Sequence, residues 1–325
     1  MLLFCGAVLV GIAALVWGAD RFVDGASGLA RNLGVSTLVI GLTVVGFGTS
    51  APEILVAAVA AFEGNPSLGI GNALGSNIAN VALVIGVTAL VTPLLVKSKI
   101  LRREFPILIV AMIAACFLLI DSHLGRMDGA LMLIGITVIM LMLIWLSRRA
   151  DADDSLSVEL DMEIPQEIAV GKAVGLFVVG LVVLLVGSQA LVWGASNIAK
   201  VLGMSDLVIG LTIVAIGTSL PELAASVVAA LKKEHDMVIG NIIGSNMFNL
   251  LAVLAMPGLI SPSVLVPEVL SRDYLVMFVV TIALLFMARG LHGKGQITRV
   301  EGGLLLATYF GYLGWLYVSE MAIQV

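Results

Sequence analysis

Apolar residues in this chain are gathered into ten long stretches separated by short polar segments. They lie at 2–19, 37–62, 67–91, 104–120, 127–147, 171–191, 205–231, 236–260, 273–289 and 302–318. A membrane-spanning helix needs about 20 mostly apolar residues, so each stretch is predicted to be a transmembrane helix. Asp20 and Asp24 follow the first stretch and are predicted to lie at its interfacial end. The pattern therefore predicts an all-α integral membrane protein.

The composition supports this prediction. The chain has 325 residues, of which 60% are hydrophobic and 12% charged, and its mean hydropathy is +1.13. An ordinary soluble domain is roughly 45–50% apolar and about 25% charged, so a lipid bilayer is the expected surrounding of this chain. The formal net charge of −5 gives no support for a nucleic-acid partner, and no obligate protein partner is implied.

Two sequence motifs occur twice, and the same 169 residues separate the copies of each. The segment GLTVVGFGTSAPE at 41–53 returns as GLTIVAIGTSLPE at 210–222, with nine of thirteen positions identical. The segment GNALGSNIAN at 71–80 returns as GNIIGSNMFN at 240–249, with six of ten positions identical. A constant separation indicates an internal duplication, which puts five of the predicted helices in each half.

Because five is an odd number, the second half enters the membrane from the side opposite to the first. The predicted fold is ten transmembrane helices in two inverted-topology five-helix repeats, an arrangement found in many secondary transporters. An acidic linker between the halves is predicted to be a solvated hinge, with a regulatory cation site as the alternative. The predicted boundaries are 1–147 for the first repeat, 148–170 for the linker and 171–325 for the second repeat.

Lys and Arg are distributed unevenly between the two predicted sides of the membrane. The connections on one side hold 14 of these residues and those on the other side hold 3. Cytoplasmic loops carry an excess of Lys and Arg, so the first side is predicted to be cytoplasmic. Both termini are then expected outside the cytoplasm, and the acidic linker inside it.

Two carboxylates, Glu53 and Glu222, lie well inside predicted membrane helices rather than at their ends. A lone carboxylate at this depth costs several kcal/mol unless it is paired or protonated. The two residues occupy equivalent positions of the duplicated motif, so we expect them to share one function near the axis that relates the halves. A proton relay is the alternative for a single intramembrane glutamate.

Hydroxyl groups accompany both glutamates. Thr49 and Ser50 stand four and three residues before Glu53, so their side chains share its helix face. The second half repeats this spacing with Thr218, Ser219 and Glu222. Each glutamate is therefore expected to have two hydroxyl oxygens beside it.

A proline precedes each glutamate. Pro52 and Pro221 cannot donate a backbone hydrogen bond, and each clashes with the carbonyl four residues earlier. We therefore expect the helix to unwind locally in both halves, which frees the carbonyls of Gly48 and Gly217 as oxygen ligands. Non-helical backbone at this depth is tolerated only where it lines a cavity.

The second duplicated motif adds further side-chain oxygens. They belong to Ser76, Asn77 and Asn80 in the first copy and to Ser245, Asn246 and Asn249 in the second. Carboxylate, hydroxyl, amide and backbone oxygens suit Ca²⁺, which takes six to eight of them, and also Na⁺. Packing of small residues explains the glycines of this motif by themselves, but it does not explain the duplicated polar side chains.

Other functional classes fit this inventory less well. A membrane-embedded hydrolase would need a base for its serine, and no His accompanies these serines in the membrane. A passive channel would not require two inverted halves around deep cation sites. The sequence therefore predicts a transporter rather than an enzyme, with transported ions and no cofactor.

These motifs resemble those of the calcium/cation antiporter superfamily, and specifically its sodium/calcium exchanger family in the short prokaryotic form. The resemblance covers essentially the whole chain, with signature regions at about 37–83 and 206–252. It implies secondary active exchange of Na⁺ for Ca²⁺ by alternating access, in the plasma membrane of a prokaryote. It also implies that the first and sixth helices, here about 2–31 and 171–200, slide across the rest.

The resemblance further implies which residues bind the ions. These are Thr49, Ser50, Glu53, Ser76, Asn80, Thr218, Ser219, Glu222, Ser245 and Asn249, with the backbone carbonyls of Gly46 and Ala215. Potassium-dependent relatives carry Asp where this chain has Asn249, so no K⁺ requirement is expected. Thr-Ser before Pro-Glu favours Na⁺, and a proton-coupled Ca²⁺ exchanger is the alternative.

Overall fold

The computed structural model describes residues 1–96, 103–153, 168–203, 215–289 and 295–323 of the chain. The described segments are almost entirely helical. We label the helices α1 (Leu2–Leu33), α2 (Thr37–Phe62), α3 (Pro66–Val91), α4 (Glu104–Leu119), α5 (Arg126–Asp153), α6 (Val170–Val201), α7 (Leu220–Leu231), α8 (His235–Ile260), α9 (Val269–Arg289) and α10 (Arg299–Ile323). A one-turn helix, Ala215–Thr218, precedes α7.

Seven helices in the described part of the chain are long and apolar enough to cross a membrane. They are α1, α2, α3, α6, α8, α9 and the Arg126–Leu146 part of α5, whereas α4 and α7 are apolar but shorter. The start of the predicted helix at 205–231 and most of the predicted linker lie outside the described residues. The chain is thus a helical protein with several membrane-length segments.

Helix α1 extends beyond the first apolar stretch, which ends at residue 19, and stops at Leu33, where Gly34 adopts a left-handed conformation. This length agrees with the helix of about 2–31 that the resemblance implies, and the interfacial position of Asp20 and Asp24 stays a prediction. Both residues lie within α1, and their charges are paired across the fold, as described below. The apolar run ended at residue 19 because these charges interrupted it, although the helix itself did not end.

Helices α1 and α6 pack against each other in an antiparallel pair through glycines. A Cβ placed on Gly11 would lie 2.8 Å from the carbonyl oxygen of Gly187, and one on Gly18 would lie 3.1 Å from that of Gly180. Small residues let helix backbones approach closely in a membrane. Gly11 and Gly18 correspond to Gly180 and Gly187 in the second repeat, 169 residues later. The contact of Gly11 with Gly187 is therefore equivalent to the contact of Gly180 with Gly18.

Helices α2, α3 and α8 form the interior of the bundle. The most apolar window of α8 is entirely buried, against 22% of the corresponding window in α1 and in α6. Gly46 of α2 contacts α8 so closely that an added Cβ would lie 3.0 Å from the backbone nitrogen of Ser245. This close contact brings the motif copy at 41–53 against the motif copy at 240–249.

Short π-helical segments interrupt the inner helices. They span Gly41–Val45 in α2, Asn80–Val84 in α3 and Asn249–Val253 in α8. The last two stand 169 residues apart, and each begins at an asparagine of the duplicated motif. Such segments are frequent at functional sites, because they change the direction in which side chains point within an otherwise regular helix.

Two antiparallel strand pairs join connections from opposite halves of the chain. Strand β1 (Leu94–Leu95) pairs with β4 (Gln296–Ile297), and β2 (His123–Leu124) pairs with β3 (Ser263–Val264). The all-α prediction did not anticipate these pairs. They satisfy backbone groups in the connections and tie the halves together outside the helices.

Candidate cation site

The two motif glutamates lie together in the interior of the bundle. Glu53 of α2 and Glu222 of α7 are each 1% exposed, and they are close enough to repel one another electrostatically. One carboxylate oxygen of Glu53 and both of Glu222 have no hydrogen-bond donor within the described structure. Buried carboxylates that lack donors are unfavourable unless a cation neutralises them.

The hydroxyls of the first motif copy face the same region. Thr49 is fully buried, and its Oγ1 lies 3.3 Å from Asn241 Oδ1 and 3.3 Å from Ser245 Oγ. It also lies near the Glu222 carboxylate. Ser50 is fully buried too, and its hydroxyl has no partner among the described residues. Helices α2, α7 and α8 therefore contribute to one polar cluster.

The second motif copy has a different local structure. Ser219 is buried and its hydroxyl is unpartnered in the described part of the chain, as Ser50 is in the first copy, but Thr218 is only half-buried. The helix breaks at Ser219, between the one-turn helix and α7. In the first copy α2 stays helical through Pro52. The prediction of local unwinding in both halves is therefore correct for the second copy only.

Side-chain amides complete the cluster. Asn80 donates from Nδ2 to Asn246 Oδ1 at 3.1 Å, and Asn77 donates to Met277 Sδ at 3.3 Å. These bonds leave the carbonyl oxygens of Asn80 and Asn77 without partners in the described structure, and both side-chain polar atoms of Asn249 are likewise unpartnered. Because Asn246 uses its own oxygen as an acceptor, its clearest contribution is to orient Asn80.

Gly46, Ser76 and Ala215 are the remaining predicted contributors. The Gly46 carbonyl has the hydroxyls of Thr49 and Ser245 at 3.5 Å, and Ser76 is 5% exposed. Ala215 is the first residue of the one-turn helix before α7. The described contacts thus join polar residues of α2, α7 and α8 at the glutamate pair, and Asn80 of α3 to Asn246 of α8.

Three residues, Asn241, Asn72 and Ser188, make positioning contacts that were not predicted. Asn241 accepts a hydrogen bond from Thr49 and donates to Ser226 Oγ at 3.3 Å, and Asn72 donates to the Glu53 carbonyl at 3.4 Å. Asn72 and Asn241 belong to the duplicated motif and could have been assigned this role. Ser226 lies outside the duplicated motifs, and its one sequence signal is its spacing of four residues from Glu222, which puts both side chains on the same face of α7.

The third contact links α6 to the broken helix. Ser188 donates from Oγ to the Gly217 carbonyl at 2.8 Å, and both groups are buried. Pro221 has no N–H that could bond the Gly217 carbonyl. The contact with Ser188 is therefore consistent with the prediction that this carbonyl is freed from the helix. The freed carbonyl nevertheless accepts a hydrogen bond from Ser188. The equivalent residue in the first half is Ala19, which has no hydroxyl.

Replacing Ser188 by Ala is expected to lower stability by about 1–3 kcal/mol, the usual cost of leaving a buried acceptor without its donor. Ser196→Ala is the matched control, because this serine lies on the same helix and its hydroxyl has no partner in the described structure. Thermal unfolding of both purified variants in detergent measures the difference. Equal melting temperatures for the two would contradict the role of Ser188.

The comparisons with known proteins agree with this architecture. The sodium/calcium exchanger protein family matches residues 3–145 and 172–318. The antiporter CaxA of Alkalimonas amylolytica is 49% identical over 312 residues, which cover 96% of this chain and 98% of CaxA. The inner membrane protein YrbG of Escherichia coli is 39% identical over 321 residues, which cover 97% of this chain and 98% of YrbG.

A solved structure is similar over the same length. The sodium-calcium exchanger NCX_Mj superposes with a TM-score of 0.81 and 32% identity, covering 97% of this chain and 99% of that one. The chain belongs to the sodium/calcium exchanger family, and it is a multi-pass membrane protein. The resemblance inferred from the motifs is thereby confirmed. The family consists of exchangers, in agreement with the prediction that the chain is not an enzyme.

Proposed function

We propose that this protein exchanges Na⁺ for Ca²⁺ at the glutamate pair, by alternating access. One observation carries the proposal: two buried carboxylates from opposite halves of the chain meet, and three of their four oxygens have no donor within the described residues. The hydroxyl of Thr49 lies near the Glu222 carboxylate, and the hydroxyl and amide oxygens of the two motifs are hard ligands that suit both ions. The name of CaxA supports antiport. The name of NCX_Mj, a sodium-calcium exchanger, supports Na⁺ and Ca²⁺ as the exchanged ions.

The proposed ligands are the oxygen-bearing residues of both motifs. They are Thr49, Ser50, Glu53, Ser76, Asn77, Asn80, Thr218, Ser219, Glu222, Ser245, Asn246 and Asn249, with the backbone carbonyls of Gly46 and Ala215. The unpartnered oxygens of Ser50, Asn80 and Asn249 support their assignment most directly, since a cation would supply the partner that each lacks.

Charge balance would couple the two ions. Two ionised glutamates carry a charge of −2, which one Ca²⁺ or two Na⁺ neutralise. Without a cation, both charges remain uncompensated, and moving them past apolar helices is costly. Only loaded states would then change the side of access, so Ca²⁺ movement in one direction would require Na⁺ movement in the other.

The proposed architecture is ten transmembrane helices in two inverted five-helix repeats, with boundaries as predicted from the sequence. The exchange of the α1–α6 glycine contacts under the 169-residue correspondence supports it, as does the position of the π segments in α3 and α8. In such repeats the alternative access state is reached when the two halves exchange environments. Helices α1 and α6 are the proposed moving pair.

We place the protein in the plasma membrane of a prokaryote, with the lysine- and arginine-rich connections in the cytoplasm and both termini outside. The distribution of 14 against 3 basic residues supports this orientation. The name of the Escherichia coli relative, inner membrane protein YrbG, supports the membrane.

The coupling ion is tested by ⁴⁵Ca²⁺ uptake into proteoliposomes under separate gradients of Na⁺, H⁺ and K⁺. We expect the Na⁺ gradient alone to drive uptake, because Thr-Ser precedes Pro-Glu in both motif copies and Asn249 replaces the Asp of potassium-dependent relatives. Liposomes without protein are the control. Uptake driven by the pH gradient would instead identify a proton-coupled Ca²⁺ exchanger, and flux without any counter-ion would identify a channel.

A further inference from the structure

An ion-pair network joins α1 to the end of α7. Lys232 follows α7 directly, and its Nζ lies 2.7 Å from Asp20 Oδ1 and 2.7 Å from Asp24 Oδ1. It also donates to the Asp20 carbonyl oxygen at 3.0 Å. An ammonium group has three N–H donors, so each of them has an acceptor on α1.

A second contact continues the network along α1. Glu234, two residues after Lys232, accepts a hydrogen bond from Ser27 Oγ at 3.3 Å and lies 3.9 Å from Arg31 Nη2. The connection between α7 and α8 is thereby attached to the last four turns of α1. The Lys232 contacts compensate the charges of the two aspartates inside α1, and Asp20 is also paired with Arg21 at 2.8 Å.

The first half of the chain cannot form this network. Under the 169-residue correspondence Lys232 maps onto Glu63, Asp20 onto Gln189 and Asp24 onto Trp193. Neither glutamine nor tryptophan carries a charge that could pair with Glu63. Glu234 likewise maps onto Asn65, which carries no charge. The network therefore belongs to one end of an otherwise duplicated structure.

Burial of the two helices differs in the same way: α1 is more buried near the ion pairs than α6 is at the equivalent positions. Phe22, Val23 and Ala26 of α1 are at most 1% exposed, whereas their counterparts in α6 are only partly buried. These counterparts are Leu191, Val192 and Ala195. Helix α1 is thus packed tightly at the end where Lys232 binds it, and α6 is packed more loosely at the opposite end. This difference in burial supports a structure that is closed at the Lys232 end.

We propose that Lys232, Asp20 and Asp24 form a one-sided latch that favours the access state closed at the α7–α8 connection. The inference rests on the proposed function, in which α1 and α6 move between two states. Because inverted repeats exchange environments between these states, the Lys232 ion pairs stabilise one state, and the equivalent residues of the other repeat, Glu63, Gln189 and Trp193, cannot form the same pairs in the other state. The two faces of the exchanger then differ in apparent affinity for the same ions.

Lys232→Gln removes the latch without touching the glutamate pair. The apparent KM for a ligand varies inversely with the fraction of protein in the state that exposes its site. The measured quantity is the KM for Ca²⁺ at the latched face divided by the KM at the opposite face. We expect this ratio to fall roughly threefold or more in Lys232→Gln, which is the factor expected for a partly exposed ion-pair network. Right-side-out and inside-out membrane vesicles give the two values.

Three variants make the test specific. Asp24→Asn should shift the ratio in the same direction, Lys232→Arg should preserve it because the charge remains, and Lys233→Gln removes an exposed neighbouring charge and should leave it unchanged. Amide hydrogen exchange in α1 should also be faster in Lys232→Gln than in the wild type when Ca²⁺ is absent. This measurement needs no transport activity.

The outcomes separate the latch from the proposed function. An unchanged KM ratio and unchanged hydrogen exchange in Lys232→Gln and Asp24→Asn would overturn the latch, even if Na⁺-driven uptake is intact. Faster exchange in α1 together with uptake that does not depend on the glutamates would support the latch as a structural contact and refute the assigned site.

Discussion

Glu222→Gln and Glu53→Gln are each expected to reduce Ca²⁺ transport by roughly 100-fold or more. Ca²⁺ binding relies on the charge of both carboxylates, and removing one partner of a buried charged set costs about 3 kcal/mol or more, which corresponds to this factor. Uptake of ⁴⁵Ca²⁺ into proteoliposomes under a Na⁺ gradient measures the loss. Glutamine preserves the size of the side chain, so the fold should persist.

Stability provides a second measurement for these variants. Without Ca²⁺ the two carboxylates repel one another in the interior, so each Gln variant should be at least as stable as the wild type under those conditions. Added Ca²⁺ should raise the melting temperature of the wild type, because a ligand that binds only the folded state stabilises it. The same addition should have little effect on the variants.

Glu63→Gln is the matched control for both measurements. This glutamate follows α2 directly and is exposed, so the same chemical change is made at the end of the helix that carries Glu53. It should leave uptake and Ca²⁺-dependent stabilisation unchanged. Wild-type uptake in Glu53→Gln or Glu222→Gln would refute the site assignment.

Gly180→Ala is expected to disrupt the pairing of α1 with α6. The added Cβ would lie 2.6 Å from the Cα of Phe22 and 2.8 Å from the carbonyl oxygen of Gly18. Both atoms belong to the backbone of α1, so no side-chain rotation can relieve the contact and the helices must separate. Overpacking of this kind costs about 1–3 kcal/mol, and Na⁺-driven uptake should fall because the moving pair no longer packs correctly.

Gly175→Ala provides the comparison on the same helix. A Cβ at this position meets no atom within 4 Å in the described structure, so stability and uptake should be close to those of the wild type. Thermal unfolding in detergent and ⁴⁵Ca²⁺ uptake are measured for both variants. If Gly180→Ala unfolds at the same temperature as Gly175→Ala, the close backbone contact is not required for the pairing.

Much of the candidate site could be predicted because its signals are local in the sequence. Glu53 and Glu222 are recognised by their position inside apolar stretches, and Thr49 and Ser50 by their spacing along one helix. The duplication adds a long-range constraint, since two copies of one motif imply that both serve a shared centre. Burial of the glutamates and their mutual repulsion agree with that inference.

The parts that could not be predicted depend on contacts between distant segments. Ser188 gives no motif signal, yet the packing of α6 puts its hydroxyl on the Gly217 carbonyl. Pro52 and Pro221 look equivalent in the sequence, yet only the second lies beside a helix break, because each is packed against different neighbours. Local sequence cannot distinguish two copies of one motif when tertiary contacts make them differ.

The sequence by itself determined the apolar helices, the duplication and the residue types around the glutamates, because hydrophobic length, repeat spacing and side-chain chemistry are properties of the chain. Only the tertiary structure decided which polar atoms find partners. It paired Asp20 and Asp24 with Lys232, more than 200 residues away, and left the side chain of Asn249 without a partner in the described structure. Such pairings depend on how helices pack, and many packings are compatible with the same apolar pattern.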